Sequence, residues 1–181
     1  MHIKTELTIK PCVDREVLFE QFMRGEPQSQ EQEDDIRSEI LINGEPTAKI
    51  IEGLVLEAAV QWQDKTLLLV TYDCCYEECL GILLLNKEFD VEDEAWIGMW
   101  YSTGTFRNLQ LIEPDRLRFN FFANELWEIQ LLSKREIRIP FFLEPTGVSR
   151  RFGFSRRFIV RRIKPSMTDD AQERAAPEPA R

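Results

Sequence analysis

The chain has a single histidine, His2, at its second position. Ser-His-Asp and Cys-His catalysis place an imidazole beside the nucleophile, and here only His2, folded back from the terminus, could supply one. Cysteine is sparse as well. Four cysteines in 181 residues do not make the dense disulfide framework of a small secreted domain, so reduced thiols are expected. No long apolar run exists. Leu80-Gly-Ile-Leu-Leu-Leu85 is the longest compact one, far short of the roughly 20 residues that a membrane-spanning helix needs. The opening MHIKTELTIK lacks the apolar core of a signal peptide, so a cytoplasmic location is expected. The phosphate-cradling patterns G-x-x-x-x-G-K-[ST] and G-x-G-x-x-G are absent, as is the calcium-loop pattern D-x-[DN]-x-[DN]-G. Positive charge is also in deficit. Net charge is -9 and the sequence pI about 4.8, which repels nucleic acid and anionic membranes.

What is present suits one globular domain. Hydrophobic residues make up 43% of the chain and charged residues 30%, enough for a core that needs no disulfide or metal staple. Residues 2–9 alternate like a strand. Asp14 can cap a short helix over 14–23, with Val17, Leu18 and Phe22 on one face. EPQSQEQEDD, residues 26–35, has five acids and no base and reads as a mobile acidic loop. Asn43-Gly44 follows Ile40-Leu-Ile42 and marks a tight hairpin turn.

From Leu54 onward strands follow in quick succession, at 54–62, 66–72, 80–86, 95–101, 106–112, 116–122, 126–132, 136–143 and 157–163. Pro140 places the strand over 136–143 at an edge or a bulge. The expected class is mainly β (α+β): an antiparallel meander forming a curved sheet, sandwich or open barrel, with one short N-terminal helix. The domain should span 1–164. The Ala-, Pro- and charge-rich tail 165–181 reads as disordered.

Thr71-Tyr-Asp-Cys-Cys-Tyr-Glu-Glu-Cys-Leu80 holds three of the four cysteines. A structural zinc site brings two separated ligand pairs. Cys74, Cys75 and Cys79 are instead one cluster, with Cys12 remote. Asp73, Glu77 and Glu78 would raise a thiol pKa, against a nucleophilic role. The expected reading is a strand end and a turn, with no cofactor and no metal.

Arg150-Arg-Phe-Gly-Phe-Ser-Arg-Arg-Phe-Ile-Val-Arg-Arg162 interleaves six arginines with three phenylalanines. Single-stranded nucleic acid binding uses that mixture. The acidic balance of the chain argues instead for phenylalanines in the core and arginines paired with acids or lying along apolar surface. Residues 88–106, EFDVEDEAWIGMWYSTGTF, join five acids to a group of aromatics. Protein interfaces draw their energy from a few Trp and Tyr anchors and their on-rate from complementary charge. The candidate partner-binding residues are therefore Glu88, Asp90, Glu92, Asp93, Glu94, Trp96, Trp100 and Tyr101, with the acids on an exposed turn.

The acidic turn EFDVEDE, the strand meander and the lack of catalytic machinery together resemble the immunity proteins that bacteria make against toxins. The resemblance implies a small cytoplasmic inhibitor that covers the basic active-site cleft of a toxin, without catalysis. An acidic secretion chaperone is the alternative, although such chaperones open with a helix and this chain opens with a strand. A carboxylate- or metal-dependent enzyme is a further alternative.

Overall fold

Alternation of apolar and polar residues dominates the chain, and the computed structural model answers it with strands. It describes residues 1–12, 36–72, 78–98, 102–122, 125–137 and 144–163. The helix expected over 14–23, the acidic loop 26–35 and the tail 165–181 lie outside the described residues.

The strands are β1 (His2–Ile3), β2 (Leu7–Pro11), β3 (Arg37–Ile42), β4 (Glu45–Glu52), β5 (Val55–Trp62), β6 (Lys65–Thr71), β7 (Leu80–Leu85), β8 (Val91–Ile97), β9 (Arg107–Ile112), β10 (Arg116–Asn120), β11 (Leu126–Ile137), β12 (Val148–Ser149) and β13 (Ser155–Ile163). They form three sheets, in the orders β1-β5-β6-β7-β8-β12, β13-β11-β10-β9 and β2-β3-β4. Neighbouring strands pair antiparallel, and among the described residues no sheet closes into a barrel.

The six-stranded sheet is the middle layer. One face sends Val60, Leu67, Leu69, Ile82, Leu84 and Ile97 against Leu117, Phe119, Trp127, Ile129 and Phe158 of the four-stranded sheet. Its other face sends Ala59, Leu68, Val70, Leu83 and Leu85 against Leu7, Ile40 and Ile51 of the three-stranded sheet. This explains the continuous apolar strands. β6 and β7 are buried along their whole length, because both faces are covered. Outer strands alternate instead: Leu117 and Phe119 point inward while Arg116 and Arg118 point out. Two buried indoles find acceptors, Trp62 donating to the Pro114 carbonyl at 3.0 Å and Trp127 to the Phe121 carbonyl at 3.3 Å.

Asn43 and Gly44 both take positive φ, 51° and 84°, as a two-residue hairpin turn between β3 and β4 requires. Three strand assignments differ from expectation. Residues 2–9 are not one strand: β1 pairs with β5 in the six-stranded sheet and β2 with β3 in the three-stranded sheet. Residues 136–137 do not begin a new strand; they continue β11 past an irregularity between Leu131 and Glu136, and 138–143 lie outside the described residues. β8 begins at Val91, not at residue 95, and this change bears directly on the site.

Candidate functional site

The acids expected on one exposed turn divide into two groups. The chain turns over 86–90, where the Asn86 side-chain oxygen accepts from the backbone N–H of Glu88 and of Asp90, each at 2.9 Å. Glu88 and Asp90 are exposed there. The Lys49 ammonium donates to Asp90 and holds its carboxyl below the usual range.

Glu92, Asp93 and Glu94 lie on β8 and are half-buried and paired, which corrects the expectation of a solvated turn. Glu92 accepts from Lys65 at 2.7 Å and lies 3.6 Å from Arg157. Glu94 lies 3.3 Å from Arg151. Asp93 is the most enclosed, its side chain 7% exposed against 2% for its partner Arg150, 3.1 Å away. Its other oxygen accepts from the backbone N–H of Arg157 at 2.6 Å and of Phe158 at 3.3 Å. Arg150 also donates to the Phe158 carbonyl at 3.1 Å, lies over the Phe158 ring at 4.2 Å, and has Glu144 2.8 Å from its Nε. Burial lowers the Arg150 pKa, opposed by Asp93 and Glu144. These charges join β8 to the start of β13, so they hold the two large sheets together at one side.

The aromatics give a different picture. Trp100 and Tyr101 lie outside the described residues. Trp96 is half-buried on β8, with its six-membered ring against Gly81 of β7. It stacks on Tyr72, at the end of β6, with ring centroids 5.1 Å apart and planes 27° apart. The Tyr72 hydroxyl donates to Glu52 of β4 at 2.5 Å, and the Tyr72 backbone N–H donates to Glu78 at 2.8 Å. Glu94 is on the same face of β8 as Trp96. The result is a notch of two stacked aromatic rings among Glu52, Glu78 and Glu94. Aromatic faces beside carboxylates are surroundings that attract a cationic group, by cation–π attraction and ion pairing, and Arg151 already pairs with Glu94 there.

Burial, and then the hydrogen bond to Glu52, push the Tyr72 hydroxyl far above its usual range. It therefore acts as a donor near neutral pH and not as a base or nucleophile. The sign follows: the folded state keeps this proton after the unfolded state loses it near pH ~10, so stability falls as pH rises above that value. A spectrophotometric titration of the folded protein should show at most two of the three tyrosines ionising by pH ~12. Three ionising together, with the fold intact, would contradict the buried hydrogen bond.

Sequence reasoning placed Trp96 in the site but missed Tyr72 and Glu52. Glu78 was noted only among the acids of the cysteine-rich stretch. The one available signal was the aromatic-acid mixture of TYDCCYEECL. Of its cysteines, Cys79 is half-buried with its sulfur against Gly98, and Cys74 and Cys75 lie outside the described residues. Among the described residues, no group of three His, Cys, Asp or Glu side chains is arranged to hold a metal. A shallow groove of about 340 Å³ is lined by Thr8, Ile9, Pro11, Leu54, Val55 and Leu56, with no ionisable side chain among them.

Charge is segregated across the fold. Described residues of 1–98 carry twelve acids and six bases, whereas those of 102–163 carry six acids and eleven bases. The notch belongs to the acidic half. The chain matches no family model, no curated protein and no solved structure.

Proposed function

We propose that the chain is a non-catalytic binding protein that engages a basic protein through the Tyr72–Trp96 notch. One observation carries this reading: two stacked aromatic anchors sit among three carboxylates in the acidic half of the molecule. Half-exposed Trp and Tyr supply interface energy, and a negative rim speeds the approach of a positive partner. Within that class, an immunity protein acting in the cytoplasm against a bacterial toxin is the reading we favour, with the notch and the exposed turn at Glu88 and Asp90 covering a basic cleft. Among the described residues, no helix is long and apolar enough to cross a membrane.

The test is affinity capture from the native cell with the wild-type chain and with the triple variant Glu52→Gln, Glu78→Gln, Glu94→Gln. The wild type should retain a basic protein and inhibit its activity when mixed at equal amounts. The isosteric variant should lose most of it. Equal retention by both, or capture of an acidic protein, would contradict the proposal.

A further inference from the structure

The arginine- and phenylalanine-rich stretch 150–162 does not pack as its composition suggests. Phe158 enters the core, but Phe152 is 66% exposed and Phe154 57%. Their rings meet edge to face, with centroids 5.5 Å apart. Exposing two large aromatic rings forgoes favourable burial of apolar surface that folding would otherwise gain.

The chain on either side of this aromatic pair, and the strand beside β13, are rich in cations. Opposite the start of β13, the pairing of β11 is interrupted between Leu131 and Glu136, and Ser133, Lys134 and Arg135 stand exposed there. Lys134 and Arg135 have no ion pair among the described residues, and Arg151 is almost fully exposed. Beyond them lies the outer face of the four-stranded sheet. Arg118, Glu128 and Arg161 are register partners in one cross-strand row, and Arg116 is also in reach of Glu128. Glu128 is buried between them, at 2.9 Å from Arg118, 3.4 Å from Arg161 and 3.8 Å from Arg116. Glu128, with Asp115 3.9 Å from Arg116 and Gln130 accepting from Arg161 at 3.0 Å, thus leaves three guanidinium groups spread out and part-exposed on this face. The argument against nucleic acid from the net charge of -9 assumes a uniformly acidic body, and residues 102–163 are not acidic.

We infer that this face, from Phe152 and Phe154 across β13, β11 and β10, binds single-stranded nucleic acid. The rings supply stacking surfaces for bases, and the cations neutralise phosphates. The layout favours a strand over an anionic membrane. A membrane site sets cations around one apolar tip, whereas here Arg116, Arg118 and Arg161 stand part-exposed across an open strand face, Arg161 lying about 23 Å along the chain from Phe154 at ~3.3 Å per residue. The face meets the Tyr72–Trp96 notch at the Arg151–Glu94 pair but uses different residues, so either assignment can fail without the other.

Fluorescence anisotropy of a labelled single-stranded oligonucleotide of about 12 nucleotides, titrated with the full chain at low salt, tests this. Binding should appear and weaken steeply with salt. Phe152→Ala with Phe154→Ala should weaken it ~10-fold or more at an unchanged melting temperature. Lys134→Gln with Arg135→Gln should reduce the slope of log affinity against log salt by about 1–2. No binding at low salt, or binding that ignores both double variants, overturns the proposal. So does co-sedimentation with phosphatidylserine vesicles by a chain that leaves the oligonucleotide free.

Discussion

Asp93→Asn is expected to destabilise the fold by ~3–5 kcal/mol, the range for removing one partner of a buried ion pair. The substitution keeps the shape and one acceptor oxygen but removes the charge that faces Arg150. That guanidinium is 2% exposed, and Glu144 alone would then have to balance it together with the neighbouring Arg156. The backbone N–H groups of Arg157 and Phe158 would also exchange a carboxylate for an amide. Because Phe158 is where β13 resumes its pairing with β11 after the irregularity, the contact between the two large sheets should loosen first at this point. Urea unfolding measures the loss. Asp93→Leu combined with Arg150→Met should recover only part of it: no unpaired guanidinium remains, but the backbone N–H groups of Arg157 and Phe158 lose their acceptor and Glu144 keeps only Arg156. A loss below ~1 kcal/mol for Asp93→Asn would mean that the pair is solvated.

Gly81→Val sets two effects of opposite sign against each other. Strand propensity favours valine over glycine by up to ~1 kcal/mol. A β-carbon at Gly81, however, would lie 2.2 Å from one Trp96 ring atom and 2.6 Å and 2.9 Å from two more. That overlap costs ~1–3 kcal/mol or forces the indole away from the sheet. The clash should win, giving a lower melting temperature and an altered tryptophan emission as the ring leaves Tyr72. In a Trp96→Ala background the same substitution should be neutral or stabilising. Destabilisation by Gly81→Val in both backgrounds would assign the glycine to backbone geometry and not to the indole that it seats.

The middle sheet was legible because its signals are local. Alternation in 54–62, the apolar runs of β6 and β7, and the Asn43-Gly44 turn each sit within a few residues. What escaped depends on partners far along the chain. VEDEA reads as solvated because three acids in a row suit a loop; it is a strand because Lys65, Arg150, Arg151 and Arg157 come to meet those acids. No periodicity announces a charge pair 57 residues apart. The notch was half visible for the same reason. Trp96 stood out by type, but Tyr72 and Glu52 join it only when β4, β6 and β8 are brought together. The phenylalanines of 150–162 show the reverse error, since the acidic balance of the chain argued for rings in the core and two of the three are exposed.

The central claim is that a basic partner is drawn to the Tyr72–Trp96 notch by its carboxylates. Association kinetics of the captured partner, measured at low and high salt with the wild-type chain and with the Glu52→Gln, Glu78→Gln, Glu94→Gln variant, tests it most directly. The account predicts slower association of the variant at low salt, with the difference shrinking at high salt as screening shortens the reach of the charges, and with the melting temperature little changed. Equal association rates at low salt, with both proteins folded, would contradict it and place the interface on another face.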